Sequence, residues 1–252
     1  MDSLNLYPKE FLKETSSMKH HLHDKNLWLN INKKAGMSSA KLVTIIKNIT
    51  KAKKVGHGGT LDPFAVGVLP VALNKATKTS QEMMDSKKQY IFYIKWGEFR
   101  NSDDIDGDII ESSAARPSNN NLLTSALNFI GEIEQTPSKF SAIKINGKRA
   151  YDLARKNIDF DMPSRLVKIF SLNIIKNSSD GALIKIECSK GTYVRSLARD
   201  ICLKNGVCGY VSFLKRSVVG EFDMTNTISL DLLKYGRYKD FSSHVMRSVD
   251  QS

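Results

Sequence analysis

The chain has 252 residues, is 41% hydrophobic, and carries 38 Lys and Arg against 26 Asp and Glu, a net charge of +12. That length can bury a sizeable core in one large domain or two small lobes, and the positive excess favours a polyanionic partner, either nucleic acid or an anionic membrane surface. The chain contains no apolar run long enough to span a bilayer and no apolar stretch at its start of the kind a secretion signal needs. Cys188, Cys202 and Cys208 are irregularly spaced and are expected as reduced thiols of a cytoplasmic protein rather than as a zinc or disulfide framework.

Residues 1–25 show no periodicity and read as a loose extension, in which Met18 could be the true start and His20, His21 and His23 form no metal set. Leu27 to Ile31 alternates as a strand. Ser38 or Ser39 then caps a helix with Leu42, Val43, Ile45, Ile46 and Ile49 on its apolar face and Lys41, Lys47 and Lys51 off it. Phe64 to Leu73 reads as buried core, and a short polar helix follows through Met84 and Asp85. Lys87 to Trp96, rich in aromatic and branched residues, is the clearest strand. Next come acidic residues from Glu98 to Glu111, expected on a face turned away from an anion. A second amphipathic helix, Leu122 to Ile130, is closed by Gly131.

Pro137 to Arg149 reads as a strand and turn with basic side chains, running into a helix with Ala150, Tyr151, Leu153 and Ala154. Strands are expected from Val167 to Ile175 and from Ala182 to Cys188, about a turn at 178–181. A helix begins near Val194 and ends at Gly206, a strand runs from Val211 to Phe222, and Leu230 to Leu233 is a short helix. Paired strands separated by single helices indicate an α+β domain on a mixed, mainly antiparallel sheet. It should occupy residues 26–235, with 236–252 a short polar tail. The excursion around 98–165 could form a second lobe.

The chemistry concentrates in Lys54-Val55-Gly56-His57-Gly58-Gly59-Thr60-Leu61-Asp62-Pro63. Glycines permit close approach of a substrate to the backbone, and Pro63 restricts Asp62 toward extended geometry. The loop therefore either presents one carboxylate stiffly or is a turn whose aspartate caps the next element. No acidic residue lies between Asp24 and Asp62, whereas Lys25, Lys33, Lys34, Lys41, Lys47, Lys51, Lys53 and Lys54 all do. Such a positive field suits a phosphate backbone. Arg195, after a Gly-Thr turn and before an apolar helix face, is a candidate ion-pair partner for Asp62. Tyr90 beside Lys87 and Lys88 could stack on a base, or be an ordinary strand-edge tyrosine. No metal-ligand spacing, nucleotide-triphosphate cradle or dinucleotide fingerprint accompanies these residues.

Several stretches together resemble the TruB family of tRNA pseudouridine synthases. They are Asn32-Lys33 with Gly36-Met37-Ser38-Ser39, Gly56 to Pro63 followed by Ala65 and Gly67, Lys88-Gln89-Tyr90, Pro137-Ser138 with Ser141-Ala142 and Lys144, Gly147 to Tyr151 with Ala154-Arg155, Ser189 to Arg195, and Leu214-Lys215-Arg216. The resemblance implies the pseudouridine synthase core, with a cleft across its sheet and a family-specific insertion. It implies isomerisation of uridine 55 in the tRNA T loop, with Asp62, Tyr90 and Arg195 catalytic. His57, Gly59, Thr60, Tyr193, Leu214, Lys33, Lys215 and Arg216 would form the substrate pocket.

No cofactor or metal is implied, and the partner is the tRNA T-arm. A membrane or an obligate protein partner is not, and a monomer is expected. The chain departs from the family pattern at Lys34, at Gly58 and at Arg100-Asn101-Ser102. The short stretch after Leu233 implies that a complete C-terminal RNA-binding domain is absent. An RNA binder without catalysis would also account for the charge, and a membrane-surface protein would need the helix after Ser39 to expose its apolar face.

Overall fold

A computed structural model of the chain describes residues 22–156 and 158–235, together with the backbone of 246–248. The expectations for Met18, His20 and His21, and those for most of the tail, lie outside the described residues. The chain divides into two compact units, Met1–Ser86 with Arg216–Ser252, and Lys87–Lys215.

The first unit opens with β1 (Leu27–Lys33), a strand whose residues are almost all buried. Helix α1 (Ser39–Thr50) starts where the Ser38 hydroxyl accepts from the Lys41 amide, and ends at Lys51 in the left-handed region. It buries Leu42 and Ile46 while Lys41, Lys47 and Lys51 stay exposed, as the apolar spacing requires. After β2 (Val55–His57) comes β3 (Val66–Leu73), antiparallel to β1 on one edge and to β2 on the other. The run expected only as core is therefore a strand, buried on both faces from Gly67 onward. Its Pro70 lacks an amide hydrogen, but its carbonyl accepts from Gly58 and carries the β2 pairing one step further. A 3-10 turn (Asn74–Thr79) and α2 (Ser80–Asp85) then cover Trp28, whose indole donates to the Thr79 hydroxyl at 3.1 Å. Trp28, Val68, Ala72, Ala76, Met83, Val219 and Phe222 form this unit's core.

In the second unit β4 (Lys88–Trp96) buries Lys88, Tyr90, Phe92, Ile94 and Trp96 on one face with period two. The hairpin of β5 (Glu98–Arg100) and β6 (Ile109–Ser112) follows, then α3 (Asn119–Leu127). Gly131 does not close that helix, contrary to the sequence expectation. The helix ends three residues before Ile130, and Gly131 (φ +107) opens a further strand, β7 (Gly131–Gln135). A small hairpin, β8 (Lys144–Ile145) and β9 (Lys148–Arg149), turns through left-handed Asn146 and Gly147 into α4 (Ala150–Arg155).

Strands β10 (Arg165–Asn177) and β11 (Gly181–Cys188) complete an antiparallel order β4-β11-β10-β7. Helix α5 (Val194–Lys204) packs on β4 through Leu197, Ala198 and Ile201, all fully buried. Strand β12 (Gly209–Val219) carries the chain back into the first unit. There Gly220 (φ +57) separates it from β13 (Phe222–Asp223), so the single strand expected to Phe222 is two. Helix α6 (Leu230–Tyr235) precedes β14 (Met246–Ser248), which pairs with β1. The tail thus contributes a strand. Among the described residues no helix is long and apolar enough to cross a membrane.

Candidate active site

The half-buried Asp62 sits in a loop whose main chain is tied at nearly every peptide. Gly58 donates to Pro70 O at 2.8 Å, and Gly59 donates to His57 Nδ1 at 3.3 Å. The Arg216 guanidinium donates to Gly59 O and Thr60 O, both at 3.1 Å, and to Val68 O at 2.9 Å. Ser39 Oγ both donates to Leu61 O and accepts from Leu61 N, each at 2.9 Å. Lys33 Nζ donates to Pro63 O at 3.0 Å, to Met37 O at 2.8 Å and to Lys34 O at 3.0 Å. Three side chains from three separate elements thereby fix the peptides on both sides of one aspartate.

This corrects the reading of two basic residues. Lys33 and Arg216, expected to face substrate, are 0% and 1% exposed and point into the protein. Each spends its donors on carbonyls, where a buried cation is best compensated. Burial pulls the Lys33 pKa down to about 8, against the attraction of Asp62 and aided by the nearby Arg216. His57 is likewise lowered, first by burial and then by Arg216. Thr60 is exposed and Gly59 half-buried, so the loop still offers a surface.

Gly58 is set by packing. A Cβ there would lie 2.3 Å from Met83 Cγ and 3.3 Å from Trp28 Cζ3.

The second unit holds Tyr90, Tyr193, Arg195, Leu214 and Lys215. Tyr90 is buried on β4 opposite Ile186 of β11. The Gln135 side-chain amide clamps Tyr193 from both ends, donating to its carbonyl at 3.0 Å and accepting from its amide at 2.8 Å. Arg165 lies 5.0 Å from the Tyr193 ring centre. Arg195, 4% exposed, meets Asp104 Oδ2 at 3.1 Å, Ser102 O at 2.9 Å and Phe140 O at 3.3 Å. Leu214 is buried and Lys215 half-buried.

The acidic stretch is a solvated face only in part: Asp106, Asp108 and Glu111 are exposed, but two of its residues turn inward. Asp103 and Asp104 are buried, one against Arg199 at 2.9 Å and the other against Arg195. Sequence reading missed Ser39 as a loop anchor and missed Asp104, Asp103, Arg199 and Gln135 altogether. The available signal was a helix, Arg195 to Arg199, with cations one turn apart and an unpaired need for carboxylates. Among the described residues no His, Cys, Asp or Glu cluster is arranged to hold a metal, and the three cysteines are buried and form no disulfide.

The family model described as TruB family pseudouridylate synthase (N terminal domain) matches residues 47–194, more than half of the chain. This chain belongs to the TruB family. The matched region includes the Asp62 loop, Tyr90 and Tyr193 and ends one residue before Arg195. The tRNA pseudouridine synthase B of Sinorhizobium medicae is 44% identical over 214 residues, a match covering 84% of this chain and 69% of that protein. The protein of the same name from Ehrlichia ruminantium is 45% identical, covering 82% of this chain and 71% of the relative.

Among solved structures, the Cbf5 complex with Nop10 and Gar1 superimposes with a TM-score of 0.69 at 27% identity, over 90% of this chain and 61% of that one. An H/ACA RNP bound to a substrate RNA containing 2'-deoxyuridine gives a TM-score of 0.65 at 26% identity, over 88% of this chain and 57% of that one. The TruB chain described here therefore has the pseudouridine synthase fold, α+β with a mainly antiparallel sheet. It spans about three-fifths of those structural relatives' chains.

Proposed function

We propose that this chain isomerises uridine to pseudouridine in tRNA, at position 55 of the T loop, with Asp62 as the initiating carboxylate. The observation that carries the reading is the immobilisation of Asp62 by Arg216, Ser39 and Lys33 acting on the main chain at Gly59, Thr60, Leu61 and Pro63. A loop held this way leaves no reorganisation for the reaction to perform at its key group. Family membership and the basic charge of the first unit support an RNA substrate.

The reaction breaks the bond between ribose C1' and uracil N1, turns the base, and joins C1' to C5. The C5 proton leaves to water, and N1 ends protonated. Asp62 would start this by attacking the base at C6, attacking the sugar at C1', or removing a sugar proton. Tyr90 would stack on the uracil, and Arg195, itself held by Asp104, would partner the reacting carboxylate. The target nucleotide must leave its stack to reach these groups, and His57, Gly59, Thr60, Tyr193, Leu214 and Lys215 would bound the pocket that takes it.

The test uses a tRNA transcript tritiated at C5 of uridine 55. Release of tritium to water by the wild type, and none by Asp62→Asn with tRNA binding intact, is the expected result. A folded wild type that binds the tRNA but releases no tritium refutes the assignment and leaves an RNA-binding role.

A further inference from the structure

Helix α5 carries Arg195 and Arg199 one turn apart, on the same face. Opposite them, consecutive residues of the loop 101–108 supply one carboxylate each. Asp104 meets Arg195 at 3.1 Å and Asp103 meets Arg199 at 2.9 Å. Adjacent residues reach adjacent helical turns because Asp103 adopts φ +63, a left-handed conformation that aspartate and asparagine tolerate. The loop is built for this. Asn101 closes it onto Asp108, Ser102 and the Asp106 amide hold the other oxygen of Asp104, and the Asp103 carbonyl accepts from the Val211 amide of β12.

Both arginines also reach one further segment. Arg199 donates to Thr136 O at 2.8 Å, and Arg195 donates to Phe140 O at 3.3 Å. Thr136 to Phe140 is the root of the stretch 136–156, which exposes Lys139, Lys144, Lys148, Arg149, Arg155 and Lys156.

We propose that Asp103 is a positioning residue: ionised, it holds Arg199 across the loop and Thr136 and so fixes both the root of the basic stretch 136–156 and Arg195 one turn away. Protonated, it gives up the charge that holds Arg199 across the loop, leaves Arg199 paired with Asp200 at 3.1 Å on its own helix, and loosens that root. The proposal rests on the reading of Arg195 as part of a uridine site. The charged and titratable groups facing Asp103 are Arg199, Arg195, Asp200 and Cys202 on α5 and Asp104 on its own loop.

Burial raises the Asp103 carboxyl to about 6, with Asp200 and Asp104 pushing the same way, although Arg199 and Arg195 pull it down. Its folded pKa therefore lies above the ordinary aspartate value. The stability its proton contributes is fully present below about pH 4 and is lost as pH rises through 6. An ionised Asp103 is thus unfavourable for stability at neutral pH, although it stays joined to Arg199 across the loop at 2.9 Å.

The experiment compares the full-length wild type with Asp103→Asn, which suits the left-handed backbone and removes only the charge. Amide exchange over 136–156, corrected for intrinsic chemistry, should speed up roughly tenfold in the wild type between pH 7.5 and 5.5, as a charge-assisted bond is lost. In Asp103→Asn it should already be fast at pH 7.5 and should not change further. The variant should melt no lower than the wild type at pH 7.5, release tritium from the tRNA roughly tenfold more slowly, and lack the wild type's loss of rate near pH 6.

Equal protection of 136–156 in the two proteins at pH 7.5, or the same acid limb in both, overturns the proposal. Wild-type failure to release tritium would refute the uridine reading instead, and the exchange comparison would still decide the clamp. Should Asp103→Asn not fold, Arg199→Lys removes the fork while keeping the charge. Unchanged protection of 136–156 in that variant would likewise overturn the proposal.

Discussion

Lys33→Met tests whether the Asp62 loop is held by the protein interior. The substitution keeps an unbranched stem of similar volume and deletes the ammonium. Lys34 O, Met37 O and Pro63 O each lose a charged donor. At about 1.5–3 kcal/mol per charge-assisted bond the gross loss is about 5–9 kcal/mol. Against it stands relief of a desolvated charge, since the fall from 10.5 to about 8 corresponds to about 3 kcal/mol. The net is a destabilisation of about 2–6 kcal/mol, toward the lower end because Lys34 and Pro63 are exposed and their carbonyls can find water.

The sign of the pH dependence is equally specific. The folded pKa lies below the unfolded one, so Lys33 contributes stability above about pH 10 that is lost as pH falls through about 8. The gap between wild type and variant should therefore widen as pH rises from 8 to 10. Urea unfolding at pH 7.5 and 9.5 measures it. Tritium release should fall at least tenfold, because a small displacement of a positioned carboxylate is expensive. A variant within about 0.5 kcal/mol of wild type at both pH values, with full rate, would refute the argument.

Two further outcomes follow from particular contacts. Gly67→Ala should destabilise by about 3 kcal/mol or more, by thermal melt, because Gly67 sits at φ +107 and a Cβ would lie 2.3 Å from the Arg216 carbonyl oxygen; a melting temperature unchanged from wild type would contradict that geometry. Replacing exposed Lys41 and Lys47 of α1 by Ala should weaken tRNA binding and reduce the slope of log K against log salt by about one per lysine engaged, and an unchanged slope would remove this helix from the RNA-binding surface.

Local signals explain most of what could be read from the sequence. The 3.6-residue spacing of Leu42, Ile46 and Ile49 and the Ser38 cap fixed α1 closely, and the run of aromatic and branched residues from Lys87 to Trp96 fixed β4. Signals failed where a segment's state depends on partners distant in sequence. Phe64 to Leu73 lacks alternation because β3 is buried on both faces, so it could not be distinguished from a generic core run. Gly131 resembled a helix stop but serves a strand start. At the site, residue type and order pointed to the Asp62 loop. Which cations turn inward depended on carbonyls supplied by Met37, Pro63 and Val68, and main-chain acceptors leave no trace in residue type. For the same reason Asp103 and Asp104 read as surface acids: their arginines lie more than ninety positions away.

The way Asp62 is held divides the chain into positions with different freedom to vary. The grips described on this loop fall on its peptide groups, so the exposed Thr60 could be exchanged for other residues without loosening them. Ser39, Lys33 and Arg216 have no such latitude, because each serves several carbonyl or amide groups at once with a geometry that few other residues reproduce. A lineage could therefore retune what the loop touches by changing its outward side chains while its shape is inherited from three inward ones. Selection for a new RNA contact and selection for the position of the carboxylate would fall on separate codons.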